Sequence, residues 1–183
     1  MKTIMKVKKV AFLIAFLMVT GSVYAQQGAN PIIKNYGTIY EIENAVKPDP
    51  SINYKIVIDL KTLQRDKESL NGGLNNVARM INLHGLGGVS NDNLNVSVVI
   101  HGGATDVVLN NDTYKLKYEF DNPNIPLIKE LKEAGVKIYV CGQSLLARNY
   151  PIEEVNTEVE IGLSMLTVVT THLHNGYHQM VFN

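Results

Sequence analysis

The sequence predicts an α/β fold, a mainly parallel sheet with helices on both faces, and three observations carry that expectation. Short apolar runs recur at Lys55–Leu60, Leu94–His101 and Val136–Cys141, each about the length of one buried strand. Between them lie stretches whose apolar residues repeat at helical spacing. Turn residues separate the two kinds of segment: Gly102-Gly103 closes the second run, and Gly135 sits just before the third, where a helix C-terminus accepts positive φ. Strands alternating with helices of this length argue for a parallel sheet.

The chain begins with Lys2, Lys6, Lys8 and Lys9, continues through an apolar run from Val10 to Val19, and reaches Val23 and Ala25 just before Gln26. Early charge, an apolar stretch and small residues at a cleavage position are the three parts of a secretory signal peptide. The ten residues of the run reach about half of the roughly 20 that a spanning helix needs, so residues 1–25 are expected to be removed and to leave no stable membrane span. No Cys follows the run, which argues against a lipoprotein. The expected location is periplasmic or secreted. The whole chain is neutral, with 17 basic and 17 acidic residues, while residues 1–25 hold four Lys and no acid. The remainder is therefore mildly acidic and lacks the electrostatic footprint of nucleic-acid binding.

Residues 26–53 read as a polar N-terminal arm with one short strand, Gly37 to Ile42, ending at Lys47-Pro48-Asp49-Pro50, which can continue neither a helix nor a central strand. Residues 54–183 form a single domain with ample length to bury a core. After the first strand, residues 69–84 place Leu70, Leu74, Val77, Ala78 and Ile81 on one helical face. After the second, Asn122-Pro123-Asn124 carries helix-start chemistry, and Leu127, Ile128, Leu131 and Ala134 supply the buried face of the helix that follows. After the third, the spacing of Val159, Leu163, Leu166, Thr170 and Leu173 predicts a helix over 157–174. Ile161, Met165 and Val168 make its other side apolar too, so one sheet face cannot cover it. Gly176 ends this helix, and His178–Phe182 reads as a last strand.

Ligands of open parallel sheets bind beyond the carboxyl ends of the strands. Asp59, His101 and Cys141 fall at the ends of the first, second and third strands. Cys141 is the only cysteine and has no partner for a stapling disulfide. It is either a small buried residue ending a strand or a nucleophile. The usual burial of free cysteine favours the first reading; the Gly142-Gln143-Ser144 turn is what supports the second, with Ser144 capping a short helix whose N-terminus would stabilise the thiolate. His101 leaves its strand on the side of Val99 and Ser97, where it either acts as a base, or lowers the thiol pKa as a cationic neighbour, or braces the glycine loop. Gly102, Gly142, Gln143 and Ser144 are the ligand-binding positions around this pair.

Other signals are weaker. His172, His174 and His178 do not share a helix face, and Gly176 interrupts them, so no metal site is expected. His84-Gly85-Leu86-Gly87-Gly88 follows a helix instead of opening one and lacks the context of a phosphate loop. No Gly-x-Ser-x-Gly elbow, His-Glu-x-x-His or paired-Cys motif is present, and no cofactor is implied.

The run Ala78-Arg79-Met80-Ile81-Asn82-Leu83-His84, the strand ending Val99-Ile100-His101-Gly102, Asn122-Pro123-Asn124, the Asn175-Gly176-Tyr177 close and above all Gly135–Ser144 (GVKIYVCGQS) resemble the DsrE/DsrF-like family, in an exported branch with an N-terminal arm. The resemblance spans about Tyr54 to Phe182 and implies a three-layer Rossmann-like domain that assembles into trimers or hexamers. Some relatives carry sulfur as a cysteine persulfide, which would make Cys141 a sulfur carrier served by a donor or acceptor protein. An exported member cannot use the cytoplasmic partners of those relays. The alternative is a non-catalytic module in which the same positions hold a small ligand or a protein partner.

Overall fold

The structure, a computed structural model, describes residues 27–183, so the signal-peptide expectation for residues 1–25 lies outside the described residues. Five strands form one parallel sheet in the order β4-β3-β2-β1-β5. They are β1 (Tyr54–Leu60), β2 (Leu94–Ile100), β3 (Lys137–Cys141), β4 (Glu160–Gly162) and β5 (His178–Phe182). Among the described residues, five α-helices connect or flank them: α1 (Gly72–Leu86), α2 (Asn111–Tyr118), α3 (Ile125–Glu133), α4 (Gly142–Ala147) and α5 (Met165–His174). Among the described residues, no helix is long and apolar enough to cross a membrane.

The sheet's two faces are unequal. Ile56, Ile58, Leu60, Val96, Val98, Ile100, Ile138 and Val140 turn one way and pack with α1 and α3 into the main core. On the other face Val57 and Val99 meet Val169 of α5 in a much smaller cluster edged by Tyr139, Met165, Val168 and Tyr177. A helix layer on each side of the sheet makes the domain three-layered.

Buried amides fasten the loops at the carboxyl end. Asn71 caps α1 by accepting from the Leu74 N–H at 3.0 Å, and its own N–H donates to Asn124 Oδ1 at 2.8 Å. Asn124 Nδ2 donates to Gln64 and Asn122, and Asn122 Nδ2 to the carbonyls of Val107 and Leu109. The loops leaving β1 and β2 and the start of α3 are thereby tied together. Asn124 thus precedes α3 without a side-chain cap bond to it.

Two expectations are corrected. The helix expected over 157–174 is broken. Residues 160–162 pair with β3 as an edge strand (Tyr139↔Glu160, Val140↔Ile161, Cys141↔Gly162), and the helix begins only at Met165 after its Ser164 cap. Pairing with β3 overrides the helical periodicity, which the β-branched Val159 and Ile161 only weakly oppose. The strand expected at Gly37–Ile42 shrinks to one antiparallel bridge, Ala29↔Ile39, because the arm lies on α1 instead of extending the sheet. Asn82 holds it there. Its Oδ1 accepts from the Ile32 and Ile33 N–H groups at 3.0 and 2.8 Å, and its Nδ2 donates to the carbonyls of Ile33, Tyr36 and Gly37.

Asn82 is fully buried, so Asn82→Leu strands several arm backbone groups without partners. The expected loss is about 2–4 kcal/mol, read from chemical denaturation, with the arm becoming sensitive to limited proteolysis. An unchanged denaturation midpoint would show that the arm contributes nothing to the fold.

Candidate functional site at the strand ends

The site begins with sheet register. Ser97↔Lys137 through Ile100↔Val140 aligns β2 with β3, so His101 and Cys141 leave the sheet beside one another, one step beyond the last pair. Leu60↔Ile100 aligns β1 with β2 and sets Asp59 one residue before its strand's end. Asp59, His101 and Cys141 share the face that α5 covers. Their strand-end placement follows directly from the apolar runs in the sequence.

Cys141 ends β3 and is also the residue preceding α4. Ser144, expected to cap α4, instead lies within the helix and accepts from the Gly102 N–H at 3.3 Å, linking the loops after β2 and β3. Gly102 begins its loop with φ +56°, a conformation few residues other than glycine adopt. Gly142 is required for a different reason: a Cβ there would come within 2.9 Å of the Gly162 carbonyl on β4. Gln143 is exposed and reaches across to the Leu163 carbonyl at 3.3 Å.

The Cys141↔Gly162 pair also delivers the turn into α5 to the thiol. Burial pushes the Cys141 thiol up. The Met165 N–H, the hydroxyl and N–H of Ser144 and the Ser164 hydroxyl pull harder the other way, and together they hold it below its ordinary value. His101 is not among these largest influences; its Nε2 lies 2.5 Å from Asp59 Oδ1 instead. Gln179 of β5 donates to the other Asp59 oxygen at 3.4 Å. Cys141 is only 5% exposed, so an attacking reagent must be slender.

Sequence reasoning missed Ser164, Met165 and Gln179. Ser164 directly before an apolar helical run is a cap signal, and it was concealed by extending that helix back across Gly162. Also missed was Asp106, which accepts from the hydroxyls of Tyr118 and Tyr150 and pairs with Lys67 at 3.1 Å. Burial pushes Asp106 up, but the Tyr118 hydroxyl, Lys67 and Lys117 outweigh it and hold its carboxyl below the ordinary value. This network braces the loops that flank the site.

Cavities add little chemistry. An apolar recess of about 230 Å³ beside α4 is lined by Gly142, Leu145, Leu146, Ile152, Ile161 and Leu163, among others. A larger one of about 640 Å³ lies between the arm and α3, and neither thiol nor imidazole lines it. The three C-terminal histidines do not converge: His172 is bonded to the buried Ser97 at 3.0 Å, while His174 and His178 are exposed. Among the described residues, no group of three or more His, Cys, Asp or Glu could hold a metal ion.

A five-stranded parallel sheet between two helix layers, with a cysteine at the end of β3, defines a Rossmann-like α/β protein. The model of the DsrE/DsrF-like family matches residues 56–182, most of the chain, and the protein belongs to that family. Among solved structures it is similar to the ychN protein from E. coli, with 19% identity and a TM-score of 0.51 over 70% of this chain and 99% of that one. It is also similar to MTH1491 of Methanobacterium thermoautotrophicum, a protein of unknown function, with 16% identity and a TM-score of 0.49 over 70% of this chain and 99% of that one. The likeness to the ychN protein shows the fold. No curated protein matches the chain.

Because the surrounding donors hold the Cys141 thiol below its ordinary value, alkylation is expected to stay fast at a pH where a free thiol has already slowed. Ser164→Ala removes one donor and should slow alkylation at neutral pH by about 3- to 10-fold. A native thiol that reacts only after unfolding would make Cys141 a packing residue.

Proposed function

We propose that this DsrE/DsrF-like protein is a periplasmic or secreted sulfur carrier, with Cys141 holding sulfane sulfur as a persulfide. The observation that carries the reading is the placement of Cys141 at the exit of β3, level with His101 and with the turn into α5, where N–H and hydroxyl groups hold its thiol below the ordinary value. A thiolate is the form that attacks a sulfane sulfur, and a persulfide anion would profit from the same donors. The small exposed area of Cys141 suits a single sulfur atom better than a bulky electrophile. Gly102, Gly142, Gln143 and Ser144 shape the approach to it. The export part of the proposal rests on residues 1–25 of the sequence alone.

Loading is an exchange in which nothing external is oxidised. The Cys141 thiolate attacks a sulfur of inorganic polysulfide, a new S–S bond forms, the adjacent S–S bond breaks, and a shorter polysulfide departs with the electron pair. Mass spectrometry of exported, polysulfide-treated protein should show a chain beginning at or near Gln26 and one extra sulfur on the Cys141 peptide. Cys141→Ser should lose the adduct and keep the fold. A retained N-terminus would overturn export, and a wild-type protein that never gains sulfur would overturn the carrier.

The second reading, a binding or assembly module, is favoured by the apolar side chains left uncovered along β4 and α5. Leu163 and Leu166 are 73% and 67% exposed, and Leu173 of α5 is exposed as well. Burying them against further copies of the chain would complete the thin second layer of the sheet, in keeping with the trimers or hexamers that the family resemblance implies. An interface of about −8 kcal/mol would be occupied at tens of micromolar. Light scattering there should report an oligomer, and Leu166→Lys should weaken it by at least tenfold; a monomeric wild type would refute the assembly.

A further inference from the structure

Beside the thiol stands an ionisable pair to which sulfur carriage alone gives no role. The backbone of His101 is extended, at φ −156° and ψ −177°, and its N–H donates to the Leu60 carbonyl at 3.0 Å. Strand alternation therefore persists to this residue, and its side chain falls on the face of Val99. Cys141 occupies the matching position on β3, across a strand separation of about 4.8 Å. Asp59 completes the row from β1. A carboxylate only accepts hydrogen bonds, so the His101 Nε2 that faces Asp59 Oδ1 at 2.5 Å carries a proton. Nδ1 remains as the atom that can exchange one. The two side chains are 15% and 12% exposed, which sets them apart from a rim salt bridge. Gln179, donating to the second Asp59 oxygen, holds the carboxylate from β5.

We propose that His101, positioned by Asp59, is the general acid that protonates the leaving thiolate when Cys141 takes sulfur from an organic persulfide. The inference rests on the carrier reading of Cys141. The Cys141 thiolate attacks the terminal sulfur of R–S–S–H, and a bond forms between the two sulfurs. The donor's S–S bond breaks, its electron pair stays on R–S, and the Nδ1 proton of the imidazolium passes to that sulfur. The products are Cys141–S–S–H, R–SH and neutral His101, and the charges balance. Asp59, bonded at Nε2, fixes the ring so that Nδ1 is the nitrogen turned away from the carboxylate, the role of the third member in nucleophile–base–orienter arrays. An acid matters most when the leaving thiolate is basic. The geometry thus selects persulfides of alkyl thiols over donors whose leaving group departs without a proton.

Single-turnover loading of the full protein with two donors tests this: an alkyl persulfide, and an aryl persulfide whose thiol is much more acidic. In His101→Asn the ratio of alkyl to aryl loading rates should fall by about 100-fold, and in Asp59→Asn by about tenfold. A merely structural defect would slow both donors together and leave the ratio unchanged. The Asp59→Asn variant keeps the size of the side chain and provides the answer if His101→Asn fails to fold. A ratio equal to wild type in either folded variant overturns the acid role while leaving the carrier intact. A wild-type protein that loads from neither donor removes the carrier reading itself.

Discussion

The side-by-side parallel pairing of β1, β2 and β3 is the constraint from which the site follows. Seven register pairs join β1 to β2 and four join β2 to β3, and both ladders stay in phase to the strand ends. Because side chains alternate with period two, a slip of one residue in either ladder would send His101 or Cys141 to the opposite face. The main core prevents that slip. Leu60, Ile100 and Val140, immediately before or beside the functional positions, are fully buried against the α1–α3 layer. Hydrophobic burial on one face therefore sets the chemistry on the other.

The loops beyond those strand ends would be a poor scaffold if they were held by turn geometry alone. Gln64, Asn71, Asn122 and Asn124 are all at most 4% exposed and bond to one another or to backbone carbonyls of neighbouring loops. Buried amides of this kind stabilise only when their donors and acceptors are matched, since an orphaned one costs about 1–3 kcal/mol. Here they convert three separate loops into one body. The Asp106 cluster does the same further out, with tyrosine hydroxyls and lysine in place of amides. Only the α5 side of the thiol is held lightly, by a ten-residue helix over a three-residue edge strand.

Much of this was legible in the sequence. The runs Lys55–Leu60, Leu94–His101 and Val136–Cys141 lie within one residue of the observed strands at every boundary, because a buried central strand has no alternative use for consecutive β-branched residues. Asp59, His101 and Cys141 could be placed at strand ends for the same reason. What could not be read was how the segments meet. Val159–Gly162 fits a helical stripe and an edge strand equally well, and only the proximity of β3 decides. Ser144, three residues on, is a local donor to Cys141, but Met165 and Ser164 arrive from some 20 residues away in sequence, and no local pattern announces them. The bond between His101 and Asp59 likewise needs the β1–β2 ladder to bring together residues 42 apart.

The arm carries a consequence for the order of folding. Its anchor on α1, Asn82, lies 49 or 50 residues beyond Ile33 and Ile32, whose N–H groups it accepts. The arm, synthesised before the helix it rests on, thus has nothing to settle on until the first strand and much of the first helix have followed it. Contacts of such sequence separation form late, because loop closure must precede the bonds that repay it. Until then Ile33 and Ile39, both fully or nearly fully buried at the end, remain open to water. A nascent chain therefore passes through an interval in which Ile33 and Ile39 are unprotected, and it is there that a chaperone would find its grip.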